Sequence, residues 1–289
     1  MSETKESINA ETSLYGIFGN PVTHSLSPLM HNAAFSRFQM NSVYLAFPIE
    51  EHSLGLAFEG IRSLEIKGVN ITIPFKEQAV EFIDEIPEDL DRSIGALNTV
   101  VNRKGILYGY NTDALGFLTS LNEDLNFRPE GKSILILGAG GAARGISFAL
   151  AYAHADKILI HNRTPERSEG LTDYLSGSFP ATAIEPLRDL SNLKNEKIDL
   201  VVNATSCGMK GNDSLPMDLR QFEHAVSVYD LVYAPSETRF LKEAKKLGFA
   251  NANGLGMLVN QGALSFELWT GQKEGVRQCL REALKTCLK

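Results

Sequence analysis

Three short stretches in the first half of the chain gather side chains from which a proton-transfer site can be built. GVNITIPFKE (68–77) carries Asn70, Thr72 and Lys76, IGALNTVVN (94–102) carries Asn98, and GYNTDALGF (109–117) carries Asn111 and Asp113. Amides and hydroxyls suit a ligand with several hydroxyl groups, and a lysine with a carboxylate suits moving a proton to or from an oxygen. Taken singly, Lys76 reads as a solvated surface residue and Asp113 as a helix N-cap. Upstream, NPVTHSLSPLMHNAAF (20–35) sets Ser25 and Ser27 before Pro28. Ser-Pro ahead of an apolar helical pattern predicts a helix with Ser27 as N-cap and Pro28 at its first position. A helix start flanked by two hydroxyls also suits a small carboxylate.

A second kind of chemistry sits in SILILGAGGAARGISFAL (133–150), where Gly138, Gly140 and Ala143 form a G-x-G-x-x-A pattern directly after a strand-like run and at the opening of a helix. That context favours dinucleotide binding. Gly138 permits the tight turn, Gly140 lets backbone approach a pyrophosphate, and Ala143 keeps helix and strand close. The end of the next strand selects the dinucleotide. An NAD site usually has an acid there, whereas KILIHNRTPER (157–167) has Asn162, Arg163 and Thr164, with Asp156 before the strand and Glu166 in the following helix. A guanidinium at this point grips a 2′-phosphate, so NADP is expected.

These side chains need elements to hold them. Runs at 14–19, 43–49, 68–73, 133–138, 157–162, 198–203 and 226–231 read as strands, and their near-continuous apolar character suits parallel sheets buried on both faces. Helical patterns alternate with them, which predicts an α/β architecture. NFRPEGK (126–132) marks a break, and the chain from about 255 onward is helical only. Two terminal helices cannot form a domain alone and must pack back on the first. The expectation is a domain of 1–112 with 255–289, and a dinucleotide-binding domain of 113–254 inserted between. A 289-residue chain has room for both.

Lys and Arg total 28 against 35 for Asp and Glu, a net charge of −7, which argues against broad nucleic-acid binding. Cys207, Cys279 and Cys287 form no C-x-x-C pair and read as reduced thiols of a cytoplasmic protein. No His or Cys cluster suggests a metal, and His24 and His31 read as surface or packing residues. No apolar run reaches a membrane span, and residues 1–12, polar and without a signal-peptide core, read as a frayed tail.

The spans N-P-x-x-H-S-x-S-P, N-x-T-x-P-x-K, I-G-A-x-N-T and N-T-D, followed by G-A-G-G-A-A-R, N-R-T, N-A-T-S-x-G-M, D-L-V-Y-x-P-x-x-T and G-L-G-M-L-V-x-Q-G-A, closely resemble those of shikimate dehydrogenases. They run in order from about residue 14 to residue 271. The resemblance implies a substrate domain completed by C-terminal helices, an inserted Rossmann-type NADP-binding domain, and reversible NADP-dependent reduction of 3-dehydroshikimate to shikimate. It implies Lys76 and Asp113 as the catalytic pair. Ser25 and Ser27, with Tyr233 nearby, would hold the carboxylate, and Asn70, Thr72, Asn98 and Gln261 the ring hydroxyls. Gly138, Ala139, Gly140, Gly141 and Ala142, with Asn162, Arg163 and Thr164, would bind NADP. Thr205, Leu231, Gly254 and Met257 would line the cofactor side of the cleft. One departure is Ala114, where the family usually has Gly after N-T-D. No fused dehydroquinase-like domain is expected, and the chain is expected to act as a monomer or homodimer on a small-molecule substrate.

Two other readings follow from the same residues. A dehydrogenase for both quinate and shikimate, using NAD or NADP, would differ around Ser25 and Ser27. A non-catalytic NADPH-binding sensor would have no need of Lys76 with Asp113.

Overall fold

The computed structural model describes residues 8–209 and 214–287. Of the expected frayed tail, residues 1–7 lie outside that range, while 8–12 form a turn anchored where the Thr12 hydroxyl donates to Asn41 Oδ1 at 2.7 Å. The chain divides into two compact units, Met1–Thr112 with Gln261–Lys289, and Asp113–Asn260.

The first unit holds β1 (Ser13–Gly19), α1 (Ser27–Arg37), β2 (Ser42–Pro48), α2 (Leu54–Ser63), β3 (Gly68–Ile71), α3 (Asp89–Ile94), β4 (Thr99–Arg103) and β5 (Ile106–Tyr110). Its sheet runs β2-β1-β3-β4-β5. β1 pairs parallel with β2 and β3, but β3-β4 and β4-β5 are antiparallel, so this sheet is mixed where an all-parallel one was expected. A two-residue turn makes β4 and β5 a hairpin: Lys104 and Gly105 both take positive φ (55° and 89°). β2 is an edge strand with Leu45 exposed, which corrects its reading as a strand buried on both faces. β3 stops at Ile71, two residues before the expected end, because Thr72 and Ile73 pass into the turn that carries Pro74 and Lys76.

The second unit holds α4 (Thr112–Leu125, from Asp113 on), β6 (Ser133–Leu137), α5 (Gly141–Tyr152), β7 (Lys157–His161), α6 (Pro165–Ser178), β8 (Ala183–Pro186), β9 (Leu200–Asn203), β10 (Ser227–Asp230), α7 (Arg239–Lys246) and β11 (Asn251–Asn253). Its six strands are all parallel in the order β8-β7-β6-β9-β10-β11. The order in which strands are added reverses between β6 and β9, although both run the same way, and this is the switch point where such sheets bind dinucleotides. Ile134, Leu135, Ile136 and Leu137 of β6 are all buried, as their unbroken apolar run requires. β8 and β11 are short edge strands, and the polar residues that flank them hide them from periodicity.

Helices α8 (Leu255–Thr270) and α9 (Val276–Cys287) close the chain. The expected packing of the terminal helices on the first unit is present: Trp269 of α8 donates its indole N–H to Val100 O at 2.9 Å, and α9 packs on α1. A Cβ at Gly68 would overlap that indole, so the glycine admits the tryptophan. The boundary falls at 260/261, six residues later than expected at 254/255. The first turns of α8 belong to the second unit because Gly256 lies against Ser120 and Asp124 of α4, where any side chain would collide. The other boundary falls at 112/113, at the first residue of α4, and the Phe117 ring of that helix meets Tyr229 of β10 edge-on at 5.1 Å.

Candidate active site

In the first unit a buried network of amides and hydroxyls joins five separate elements. The Asn98 side chain is its hub: Oδ1 accepts the Thr112 N–H at 2.7 Å, while Nδ2 donates to Thr112 Oγ1 at 2.9 Å and Gln261 Oε1 at 3.2 Å. Asn70 lies beside it. Its Nδ2 donates to the Asn98 carbonyl and to Ser265 Oγ, each at 3.0 Å, and its Oδ1 accepts the Tyr44 hydroxyl at 2.7 Å. The Asn98 carbonyl can only accept, so it fixes which way the Asn70 amide points. Ser265 and Thr99 hydroxyls meet at 2.7 Å and close the ring. Asn70, Asn98 and Gln261, three of the residues singled out in the sequence, are thus brought together in one buried array.

Lys76 sits in the turn after β3, half-buried, and its backbone carbonyl accepts the Leu97 N–H at 2.8 Å. The segment that delivers Asn98 therefore also anchors Lys76. Thr72 is half-buried, and its N–H extends the sheet to the Phe18 carbonyl at 2.9 Å. A Cβ at Gly19 would overlap the Thr72 methyl. Asp113 is buried, one residue beyond Thr112 at the start of α4. Asn111 is also buried and donates through Nδ2 to the Ala96 carbonyl at 2.7 Å.

The two serines exchange the parts the sequence suggested. Ser27 is the first helical residue of α1, Pro28 the second, and the N-cap position falls on Leu26 with no side-chain cap. It is Ser25 whose Oγ accepts a backbone N–H, that of Ser27, at 3.2 Å. The chain turns one residue earlier than the Ser-Pro pattern implies, which moves Ser27 inward. Ser27 is buried beside the Tyr44 phenol; burial pushes that phenol well above its ordinary pKa and the Ser27 hydroxyl offsets part of the rise. His31, one of the two histidines read as surface or packing residues, is fully buried and stacks on Tyr44 at 4.6 Å. Burial lowers its pKa to about 3. His24 is exposed.

Tyr44, Thr99, Thr112 and Ser265 are members of the array that motif reading missed. Both threonines follow an asparagine in an Asn-Thr pair, a signal that could have marked them. Tyr44 and Ser265 lie in apolar elements and carry none.

In the second unit, Gly138 leaves β6 at φ 113° with its N–H on the His161 carbonyl at 2.7 Å, a conformation open to glycine. A Cβ there would also press on the Ala204 backbone at 2.9 Å, so the fold itself demands this glycine. Gly140 differs: a Cβ would meet no atom within 4 Å. Packing gives no reason for glycine at Gly140, but the close approach of a phosphate does. Ala139, Gly141 and Ala142 lie around it, and the first turn of α5 contains no acid to repel an anion. These features fit a dinucleotide pyrophosphate.

Asn162 and Thr164 shape the loop after β7, the Asn162 amide donating to the Thr164 carbonyl at 2.9 Å, with Arg163 exposed between them. Arg167 lies in the first turn of α6, a second guanidinium near this strand end that the sequence reading passed over. Thr205 follows β9, and its N–H and hydroxyl both donate to Asn203 Oδ1, at 3.1 and 2.7 Å. Leu231 follows β10, and Gly254 backs so closely on the Leu231 carbonyl that no side chain could fit. Met257 is buried in the first turn of α8, and Tyr233 is half-buried in the loop after β10. Cys207 and Cys279 are free thiols, while the Cys287 side chain lies outside the described residues. Among the described residues no His, Cys, Asp and Glu cluster could hold a metal, and no helix is long and apolar enough to cross a membrane.

Comparison with known proteins places this geometry. Residues 17–100 match the shikimate dehydrogenase substrate binding domain, 121–210 match shikimate / quinate 5-dehydrogenase, and 254–285 match the shikimate 5'-dehydrogenase C-terminal domain. The shikimate dehydrogenase (NADP(+)) of Geobacillus kaustophilus is 45% identical over 94% of this chain and 99% of its own length. A shikimate dehydrogenase crystallised in complex with NADP+ superposes with a TM-score of 0.89 at 37% identity, covering 98% of both chains. The Thermus thermophilus enzyme, solved with NADP(H) and shikimate, does so at 0.81 and 35% identity, over 94% of this chain and 99% of its own. The chain belongs to the shikimate dehydrogenase family.

Proposed function

We propose that the chain catalyses the reversible NADP-dependent reduction of 3-dehydroshikimate to shikimate, a step on the route to chorismate and the aromatic amino acids. The observation that carries this reading is the buried Asn70–Asn98–Gln261 array, anchored to the backbone of Lys76 by the Leu97 hydrogen bond. It supplies amides and hydroxyls to a polyhydroxylated ring next to a lysine that can handle a proton. NADPH, when bound, supplies the hydride. Gly138 to Ala142 would hold its pyrophosphate, Asn162, Arg163 and Thr164 its 2′-phosphate, and Thr205, Leu231, Gly254 and Met257 its nicotinamide half.

Lys76 donates a proton to the ketone oxygen as negative charge develops there, and removes it in the reverse direction. Asp113 orients Lys76 or binds the neighbouring hydroxyl. Ser25 and Ser27, with Tyr233, hold the carboxylate. Asn70, Thr72, Asn98 and Gln261 set the ring so that one face meets the hydride donor, a placement that removes much of the entropic barrier. The protein works in the cytoplasm as a monomer or homodimer.

The test is NADPH formation followed by absorbance, with shikimate and quinate each offered NADP or NAD. The reading predicts fastest turnover with shikimate and NADP. Faster oxidation of quinate with NAD would favour the dual-specificity reading, and no turnover with any pair would leave a nucleotide-binding protein without this activity.

A further inference from the structure

Asp230 ends β10 and is fully buried. Its Oδ1 accepts from Asn203 Nδ2 at 2.9 Å and from the Val232 N–H at 3.1 Å, and its Oδ2 accepts from the Thr238 hydroxyl at 2.6 Å. All three partners donate, so the ionised carboxylate satisfies them without a proton of its own. Burial pushes the carboxyl above the ordinary range, and the same three donors offset part of that rise. None of the three is charged. Neutral dipoles hold the anion without cancelling it, and in a low-dielectric interior its field reaches further than in water.

The parallel sheet divides at its switch point into two mononucleotide-binding halves. The β6-β7-β8 half ends in the loop of Arg163, which suits the adenosine 2′-phosphate. The β9-β10-β11 half, which contains Asp230, is left for the nicotinamide. The nicotinamide ring carries a positive charge when oxidised and none when reduced, while the rest of the dinucleotide is the same in both forms. We propose that the buried charge of Asp230 weights binding toward the oxidised dinucleotide relative to the reduced one. This rests on the reading of the second unit as the NADP-binding domain.

A purely positional role makes a different forecast. Through Asn203, Asp230 also holds Thr205 in place, and loosening that loop would weaken both redox forms alike. Asp230→Asn keeps the shape and removes the charge. Dissociation constants are measured by NADPH fluorescence and by NADP+ competition against it. The ratio Kd(NADP+)/Kd(NADPH) should rise about three- to tenfold in the variant, the scale of one charge acting across a partly screened interior. An unchanged ratio, whether or not both affinities fall, overturns the proposal. Thr238→Val provides a second test, should Asp230→Asn not fold. It keeps the charge and removes the Oδ2 donor, so the ratio should stay at or below the wild-type value, and a rise would overturn the proposal as well. Failure of the wild-type protein to bind either nucleotide would instead overturn the cofactor reading beneath it.

Discussion

Asn98 accepts the backbone N–H of Thr112 at 2.7 Å, so a side chain one residue before β4 fixes the first residue of α4. Asp113 follows directly, and its position depends on that bond. Asn98→Ala takes away the acceptor of the buried Thr112 N–H. We expect about 2–3 kcal/mol loss of stability by urea unfolding, from the cost of unsatisfied buried groups. Turnover should fall while the NADP Michaelis constant changes little, because the cofactor loops belong to the other unit.

The two serines should separate stability from binding. Ser25→Ala removes the oxygen that accepts the Ser27 N–H and should cost about 0.5–1 kcal/mol of stability, the scale of a lost helix-start hydrogen bond. Both Ser25→Ala and Ser27→Ala should raise the shikimate Michaelis constant. Unchanged shikimate kinetics in both would leave these hydroxyls a structural role alone.

Arg163 should decide between cofactors. Arg163→Ala removes a charged partner of the 2′-phosphate, worth about 1.5–3 kcal/mol, or roughly 10–150-fold in NADP affinity. NAD affinity should barely change. Equal losses for both would show that Arg163 does not read the 2′-phosphate, and Arg167 would then be the guanidinium to remove.

The parts legible in the sequence are those set by one local cause. Four of the six strands of the second unit, β6, β7, β9 and β10, showed because unbroken apolar runs such as Ile134–Leu137 are buried on both faces, and the glycine loop because its spacing follows directly on β6. The β4-β5 hairpin was missed because its signal is a Lys-Gly pair between strands of ordinary polarity. The cap at α1 was misplaced by one residue because the Ser-Pro pattern marks Ser27, whereas tertiary packing turns Ser27 inward as the first helical residue and leaves the cap position to Leu26. Asn70 and Asn98 were found by type, but the phenol of Tyr44 and the hydroxyl of Ser265 that complete their bonding come from elements 26 and 195 residues away from Asn70.

His31 makes a stability prediction with a definite sign. Its pKa of about 3 in the folded protein lies below the ordinary 6.5, so the unfolded chain takes up a proton first as pH falls. The stability this group contributes is present above about pH 6.5 and is lost between there and about pH 3, at up to about 1.4 kcal/mol per pH unit. Neither ring nitrogen has a partner in the protein. His31→Phe should therefore stabilise the protein by about 1–2 kcal/mol at neutral pH and by more as pH falls toward 4. Denaturant unfolding across that range checks it, and an acid-side decline as steep as the wild type's would contradict it.

Lys76 carries the central claim. Lys76→Met keeps the aliphatic stem and removes the ammonium, so it separates proton handling from packing. The account predicts a turnover number lower by about 10²–10⁴-fold. Shikimate binding should change much less, since the carboxylate and ring hydroxyls keep their partners, a pattern that marks an interaction made mainly in the transition state. A Lys76→Met protein that oxidises shikimate with NADP near the wild-type rate would contradict the assignment.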